Sequence, residues 1–174
     1  MILKNLNMKK LTYVLILLLL PLMQSCFYKF NAISLSPDVK TVSIENFQNM
    51  SLLAVPTLAS TFSEALRDKF TRQAGKLTQV QSDGDIQFSG EITNYTDSPT
   101  AVTGDQVASQ NRLTITVKVK FVNVIEPEKS FEKTFSSYDD YPGTASIEQY
   151  RDQLITNITD QIIENIFNES VATW

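Results

Sequence analysis

The sequence lacks histidine altogether and contains one cysteine, Cys26, and only five glycines. Histidine is the commonest general acid or base and the commonest metal ligand, so much catalytic and metal-binding chemistry has no side chain to carry it. The glycines are spread singly and form neither a phosphate-binding loop nor a nucleophile elbow. We therefore predict no catalytic residue, no metal site and no cofactor, and we expect a role in binding or scaffolding.

Adjacent carboxylates are the remaining candidates for chemistry. Three pairs occur, namely Asp83 with Asp85, Glu126 with Glu128, and Asp139 with Asp140. The first two flank predicted turns, where acidic residues are ordinary. The third precedes Tyr-Pro-Gly, and a calcium loop needs more oxygen ligands at fixed spacing than this segment offers. We interpret all three pairs as solvated acids near turns.

Long apolar runs are absent except at the start of the chain. Lys4, Lys9 and Lys10 make a basic beginning without an acidic residue, and residues 11–23 are then nearly all apolar. A bilayer span needs about 20 apolar residues, so this run suits the hydrophobic region of a secretory signal better than a membrane helix. Whether the chain begins at Met1 or at Met8 stays open.

The apolar run ends at the only cysteine. The segment "LMQSC", residues 22–26, resembles a bacterial lipoprotein signal, in which the cysteine sulfur takes a diacylglycerol and the chain is cut just before it. The alternative is an ordinary secreted protein with a stray cysteine. Lipidation is favoured because a lone cysteine forms no internal disulfide and is a liability as an exposed thiol in an oxidising compartment.

Lipidation at Cys26 predicts a location and a domain plan. Phe27 follows the cysteine instead of the aspartate that retains many lipoproteins at the inner membrane. We therefore predict a Gram-negative outer-membrane lipoprotein, anchored by acyl chains and facing the periplasm. The plan is a signal peptide over residues 1–25, a lipidated tether over 26–38 and one domain over 39–174. Removing the signal moves the net charge from −4 to −7, which argues against nucleic acid as a partner.

Hydrophobic periodicity predicts two helices and five strands. Apolar residues at four-residue steps, with Gly75 as a terminator, predict a helix over 57–74, and a capping box of Ser146 with Gln149 opens a helix that runs to about residue 170. Strands are predicted at 39–47, 77–81, 85–95, 112–124 and 131–138. A hairpin turn is predicted at Asp83-Gly84 and a long polar connection over 97–111.

This order, β-α-β-β-β-β-α, predicts an α+β fold. Two amphipathic helices would cover one face of a mostly antiparallel sheet of four to five strands, as a two-layer sandwich. The other face would be polar and serve as plain solvent surface or meet a hydrated partner. Its predicted members are Thr41, Ser43, Gln87, Ser89, Glu91, Thr93, Thr114, Thr116, Lys118, Lys120, Thr134 and Ser136.

Five segments together resemble one family. They are "SPDVKTVSIENFQN", "PTLASTFSEALRDKF", "GDIQFSGEITNY", "QNRLTITVKVKFVN" and "EKSFEKTFSSYDDY", and they look like the LPS-assembly lipoprotein E (LptE) family in its Bacteroidetes-type branch. The resemblance covers nearly all of residues 36–174. It implies a non-enzymatic lipoprotein that plugs the lumen of the LptD-like β-barrel, helps that barrel to fold, and takes part in lipopolysaccharide transport to the outer membrane.

Direct binding of lipopolysaccharide is a separate expectation. The candidate contacts for its phosphates, or for a partner, are Arg112, Lys118 and Lys120. The bland alternative is that the two lysines only keep a sheet face soluble. The polar connection over 97–111 is a candidate for a segment that a partner orders.

A second function of another class stays open. "TVSIENFQN" followed by "FSEALRDKF" also looks like the opening of periplasmic activator lipoproteins that bind a peptidoglycan synthase. Such proteins normally use a long disordered tether, whereas the predicted tether here is short.

Overall fold

The computed structural model describes residues 35–75, 77–100 and 110–171 of the chain. Along the chain these form β1 (Thr41–Ile44), β2 (Gln48–Asn49), α1 (Leu58–Gln73), β3 (Thr78–Val80), β4 (Ile86–Thr100), β5 (Gln110–Asn123), a 3₁₀ turn (Pro127–Lys129), β6 (Phe131–Pro142) and α2 (Ile147–Val171). Two helices and a mixed, mostly antiparallel sheet confirm the predicted α+β fold. The very short β2 is an addition to the expected strands. Cys26, the signal and most of the tether lie outside the described residues.

Helix α1 forms as its periodicity predicts. Leu58, Phe62, Leu66 and Phe70 recur every four residues, and each is at most 1 % exposed. The Phe70 ring lies 4.8 Å from that of Phe88 on β4, measured between ring centroids. Burial of each such side chain contributes about 1.5–3 kcal/mol, so this stripe fixes α1 on the sheet.

Helix α2 is 25 residues long, and its buried stripe begins later than predicted. Leu154, Ile158, Ile162 and Ile166 are buried, but Tyr150 remains 37 % exposed. The predicted capping box is not formed as expected. Ser146 Oγ accepts a hydrogen bond from the Glu148 N–H at 3.4 Å, whereas Gln149 bonds the Ser146 carbonyl through its own backbone N–H.

The sheet has the strand order β3-β1-β4-β5-β6, with β2 also beside β4. Strand β1 is parallel to both β3 and β4 and lies between them. The predicted hairpin at Asp83-Gly84 is therefore wrong, because β3 and β4 do not pair with each other. The turn chemistry is present, since Asp83 has φ 57°, but the turn belongs to a crossover between parallel strands.

Residues 81–85, the crossing segment, carry the chain over β1 from one side to the other. A Cβ on Gly84 would lie 2.6 Å from the Ser43 nitrogen, so only glycine fits here. Asp85 then locks the crossing. Its Oδ2 accepts the N–H groups of Lys40 and Thr41, each at 2.9 Å. These bonds to the charged form lower the pKa of Asp85 below its usual value.

Strands β4 to β6 extend further than predicted. Residues 97–100 belong to β4, residues 110 and 111 begin β5, and β6 continues to Pro142. The predicted polar connection over 97–111 is therefore too long, and its centre, 101–109, lies outside the described residues. The hydroxyl of the buried Tyr141 on β6 links the extended ends of the three strands. It donates a hydrogen bond to Asp97 of β4 at 2.7 Å and accepts one from Asn111 of β5 at 3.2 Å.

A β-bulge at Thr93 keeps β4 in register with the core. Ile92 pairs with Val117 and Asn94 with Thr116, so Thr93 is the extra residue. The bulge shifts the alternation by one residue and returns Tyr95 to the buried face. None of the helices in the described residues is long and apolar enough to cross a membrane.

Candidate interaction face

The side chains of β4, β5 and β6 that point away from both helices form one continuous polar face. These residues are exposed or half-buried. They are Gln87, Ser89, Glu91, Asn94, Thr96, Arg112, Thr114, Thr116, Lys118, Lys120, Glu132, Thr134, Ser136, Tyr138 and Asp140. We refer to this set as the polar face.

Strand β1 contributes less to this surface than the sequence predicts. Ser43 is only 3 % exposed, because the crossing segment lies on it and the Gly84 N–H donates to its Oγ at 3.3 Å. Thr41 Oγ1 accepts the Asp85 N–H at 2.9 Å. Both hydroxyls are therefore occupied by this chain. The inclusion of Thr41 and Ser43 in an open face is wrong.

Hydroxyl groups bridge the middle of the polar face. Thr116 and Ser136 face each other across β5 and β6 with their side-chain oxygens 3.0 Å apart. Thr93, in the bulge, donates from its hydroxyl to the Thr116 carbonyl at 3.3 Å. The result is a neutral strip of hydrogen-bonding groups that offers a partner both donors and acceptors.

One end of the polar face carries two lysines among carboxylates. Lys118 Nζ lies 2.5 Å from Glu132 Oε1. Their hydrogen bond raises the pKa of Lys118 and lowers the pKa of Glu132. The charge of nearby Glu91 raises the pKa of Lys118 further, and the charge of Lys120 lowers the pKa of Glu132 further. These side chains, with Lys120, help to line a notch of about 280 Å³. The notch therefore has no strong excess of positive charge.

The other end carries a second charge pair. Arg112 donates from Nε and Nη2 to the two carboxylate oxygens of Asp140, at 2.7 and 2.9 Å. The guanidinium also lies over the Tyr138 ring, 3.6 Å from its centroid. The pair lowers the pKa of Asp140 and raises that of Arg112.

The structure places Arg112, Lys118 and Lys120 on the same face of β5. Lys118 lies six positions after Arg112, which corresponds to about 20 Å of strand, so the arginine belongs to a different patch from the lysines. Sequence alternation finds all three and their neighbour Glu91, but it misses Glu132 and Asp140. Glu132 has the same alternation as Thr134 and Ser136 on β6, and this signal was available in the sequence.

Both residues of the third acid pair, Asp139 and Asp140, have structural partners. Asp139 and Asp140 lie in β6 and not in a turn, so that interpretation is wrong; Asp140 pairs with Arg112, and Asp139 accepts a hydrogen bond from Asn157 of α2 at 2.8 Å. Within the described ranges, no group of three or more acidic or cysteine side chains is arranged to hold a metal ion. The lipidation candidate, Cys26, lies outside those ranges.

Comparison with known families decides the assignment. The family model described as LptE, lipopolysaccharide-assembly, matches residues 39–170. The chain belongs to the LptE family. Membership assigns it to the outer-membrane lipoproteins of lipopolysaccharide assembly, a non-enzymatic family. This confirms the family resemblance, and no curated protein matches the chain.

Three solved structures are similar to this chain at low sequence identity, and the first of them shares its fold. A hypothetical protein from Chlamydia trachomatis is 9 % identical with a TM-score of 0.50, covering 77 % of this chain and 99 % of its own. A minor lipoprotein from Acinetobacter baumannii is 16 % identical with a TM-score of 0.46, covering 76 % and 96 %. Rare lipoprotein B from Shewanella oneidensis is 10 % identical with a TM-score of 0.44, covering 75 % and 90 %.

Proposed function

We propose that this chain is the lipid-anchored plug and assembly partner of an LptD-like outer-membrane β-barrel that inserts lipopolysaccharide. Family membership supports lipopolysaccharide assembly, and the polar face supports the plug. A barrel lumen is lined by polar side chains and water. A plug for such a lumen needs hydroxyl, amide and paired charged groups on its contact surface, and Thr116 and Ser136 lie at the centre of such a surface.

The charges of the polar face suit a confined site. Its three basic residues, Arg112, Lys118 and Lys120, are matched by three acids, Glu91, Glu132 and Asp140. An unpaired charge is expensive to remove from water, whereas a charge that already has a hydrogen-bonded partner loses less. Moving the polar face from water into a barrel lumen would therefore transfer little net charge.

The proposed anchor keeps the domain close to the membrane. Only nine steps of chain separate Cys26 from Leu35, the first described residue. A fully extended chain covers at most about 3.6 Å per residue, so the tether would span no more than about 32 Å. We infer that acyl chains on Cys26 hold the plug beside its barrel on the periplasmic side.

Contact with lipopolysaccharide is a finer part of the proposal. Arg112 donates two hydrogen bonds to Asp140, and Lys118 is paired with Glu132. Lys120 has no ion-pair partner within the described residues, which makes it the best of the three candidates for a phosphate. Any lipopolysaccharide contact on this face would centre on Lys118 and Lys120.

Site-specific photocross-linking tests the plug role. A photoreactive amino acid at Thr116 probes the polar face, and the same group at the exposed Thr61 on α1 is the matched control. In cells of the native organism, we expect position 116 to cross-link to a large outer-membrane barrel and position 61 to do so far less.

The same experiment distinguishes the alternative. Capture of a penicillin-binding protein from position 116, with no barrel in the detergent-extracted complex, would support the activator function instead. Equal cross-linking from both positions would show that the polar face is not the preferred contact. Fatty-acid labelling that leaves the full-length chain unmarked would reject the anchor at Cys26.

A further inference from the structure

The sheet has open edges of very different character. Strand β3 forms one edge and has three residues. Strand β4 has no strand beside it beyond Ile92 within the described residues, but that stretch contains the Thr93 bulge and Pro99. Short strands, bulges and prolines are the usual means by which proteins block unwanted pairing at a sheet edge. Both of these edges are therefore protected.

Strand β6 lacks that protection. Its pairing with β5 runs in continuous register over 12 residues, from Phe131 opposite Phe121 to Pro142 opposite Gln110, without a bulge. Its only proline is the last residue. The inward-pointing charges, Lys133 and Asp139, are satisfied by Glu169 and Asn157 of α2. A long regular edge of this kind is a template for another strand.

The hydrogen-bond pattern shows which backbone groups of β6 are open. The Thr116 carbonyl points toward β4, because it accepts from Thr93 there. In an antiparallel ladder, a residue whose backbone groups point to one neighbouring strand does not bond the other. Ser136, which lies opposite Thr116, therefore directs its N–H and C=O away from β5. By the same alternation, Thr134 and Tyr138 do so too.

A groove runs along the open part of this edge. It has a volume of about 630 Å³ and lies between residues 133–136 of β6 and the outer side of α2. The helix contributes Asn165, Asn168 and Glu169. Glu169 and Lys133 neutralise each other at 2.9 Å, so the groove presents backbone groups, hydroxyls and amides with little net charge.

We propose that an extended, uncharged polar segment of the β-barrel partner pairs with the open edge of β6 at Thr134 to Tyr138 and adds a strand to the sheet. This inference rests on the proposed function, which supplies the barrel. The neutral groove selects a segment with short polar side chains over a charged one. A closed barrel has no free edge, so the segment must come from a loop or terminus of the partner.

A second copy of this chain fits the edge poorly. Helix α2 lies over β6, since Asn157, Gln161 and Glu169 all bond side chains of that strand. Paired edges would place the two β6 strands about 4.8 Å apart, whereas packed helices need about 8–10 Å between axes. The two copies of α2 would collide, while a single strand without a helix above it would not.

A proline at Ser136 tests the pairing directly. Its N–H faces the open edge, so Ser136→Pro removes a donor that the domain does not use and keeps the fold, as prolines on edge strands do. Ser136→Ala is the matched control, because it loses the same hydroxyl but retains the N–H. We expect the barrel recovered with the tagged full-length chain from outer membranes to be about tenfold lower for Ser136→Pro than for Ser136→Ala. Because both variants lose the hydroxyl of the polar face, this difference reports the N–H alone.

Hydrogen exchange provides a readout that does not depend on the folding of a variant. In the wild-type complex, the amides of Thr134, Ser136 and Tyr138 should exchange at least about tenfold more slowly than in the purified chain. Those of Phe135 and Ser137, which bond β5, should be slow in both.

The outcomes separate the two proposals. A wild-type complex in which the outward amides exchange as in the free chain overturns strand addition and leaves the plug role standing. Barrel recovery that is equal for Ser136→Pro and Ser136→Ala, with both variants folded, overturns it as well. Absence of any barrel from the wild-type preparation overturns the proposed function and this inference together.

Discussion

Arg112 and Asp140 face each other across β5 and β6 with two hydrogen bonds, of 2.7 and 2.9 Å, in a fork-to-carboxylate geometry. Asp140 is thereby held in its charged form, with its pKa lowered by Arg112. A group with a lowered folded-state pKa contributes stability above its unfolded pKa and loses it as the pH falls through the folded value. The pair therefore makes the extended part of β5 and β6 acid-sensitive.

A double-mutant cycle of Arg112→Gln and Asp140→Asn tests this pair. We expect a favourable coupling free energy between the two side chains at pH 7. It should be smaller than the destabilisation expected for Gly84→Ala, because both side chains remain partly exposed. The coupling should fade as the pH falls below the ordinary aspartate value of 3.8 and through the lowered pKa of Asp140 in the folded state. Urea unfolding of the four variants at pH 7 and pH 3 measures it, and an equal coupling at both values would contradict the assignment.

Asp85 is expected to make a second acid-sensitive contribution to the free energy of unfolding. It joins the crossing segment to the N–H groups of Lys40 and Thr41, and its pKa is lowered by these bonds. We expect Asp85→Asn to reduce the free energy of unfolding at pH 7 by roughly 1–2 kcal/mol. Because the charged form is the one that is bonded, the difference from wild type should shrink as the pH falls below 3.8.

Asp83→Asn is the control for that measurement. Asp83 lies in the same segment with a positive φ, a conformation that asparagine also tolerates. Its substitution should leave stability and its pH dependence nearly unchanged. If both variants lose the same stability at every pH, the effect comes from the turn and not from the bonds of Asp85.

Alanine substitutions at Gly84 and Gly75 provide a test and a control for the close crossing over β1. A Cβ at Gly84 would meet β1 backbone atoms at 2.6 and 2.9 Å, whereas a Cβ at Gly75 meets nothing within 4 Å. We expect Gly84→Ala to destabilise the domain by about 3 kcal/mol or more, since backbone atoms cannot move aside as a side chain does. Gly75→Ala should change little. Thermal unfolding of both variants checks this, and equal midpoints would rule out the close crossing.

The local elements follow from the sequence because their signals are local. The four-residue spacing from Leu58 to Phe70 and the alternation from Leu113 to Phe121 are each sufficient to define an element and its buried face. The partners of the strands are not encoded in this way. Asp83-Gly84 has the chemistry of a hairpin, yet bonds formed with β1, more than forty residues earlier, make it a crossover.

The ends of β4 to β6 show the same limit. Asp97 and Pro99 have low strand propensity, and only cross-strand partners such as Tyr141 keep them extended. The contact of Lys118 with Glu132 is equally non-local, because it depends on the register of β5 with β6. Alternation therefore predicts which side chains belong to the polar face but not which of them neutralise one another.

Charge reversal at the notch tests the lipopolysaccharide contact. Lys118→Glu with Lys120→Glu would place two more carboxylates beside Glu91 and Glu132 and repel a phosphate. We expect the double variant to lose binding to purified lipopolysaccharide, measured on the isolated domain because the change also unbalances the charges that the polar face would bring into the barrel. Arg72→Glu with Lys129→Glu makes the same change in net charge away from the polar face and should retain lipopolysaccharide binding. Unchanged lipopolysaccharide affinity in the Lys118 and Lys120 variant would assign those lysines to solubility alone.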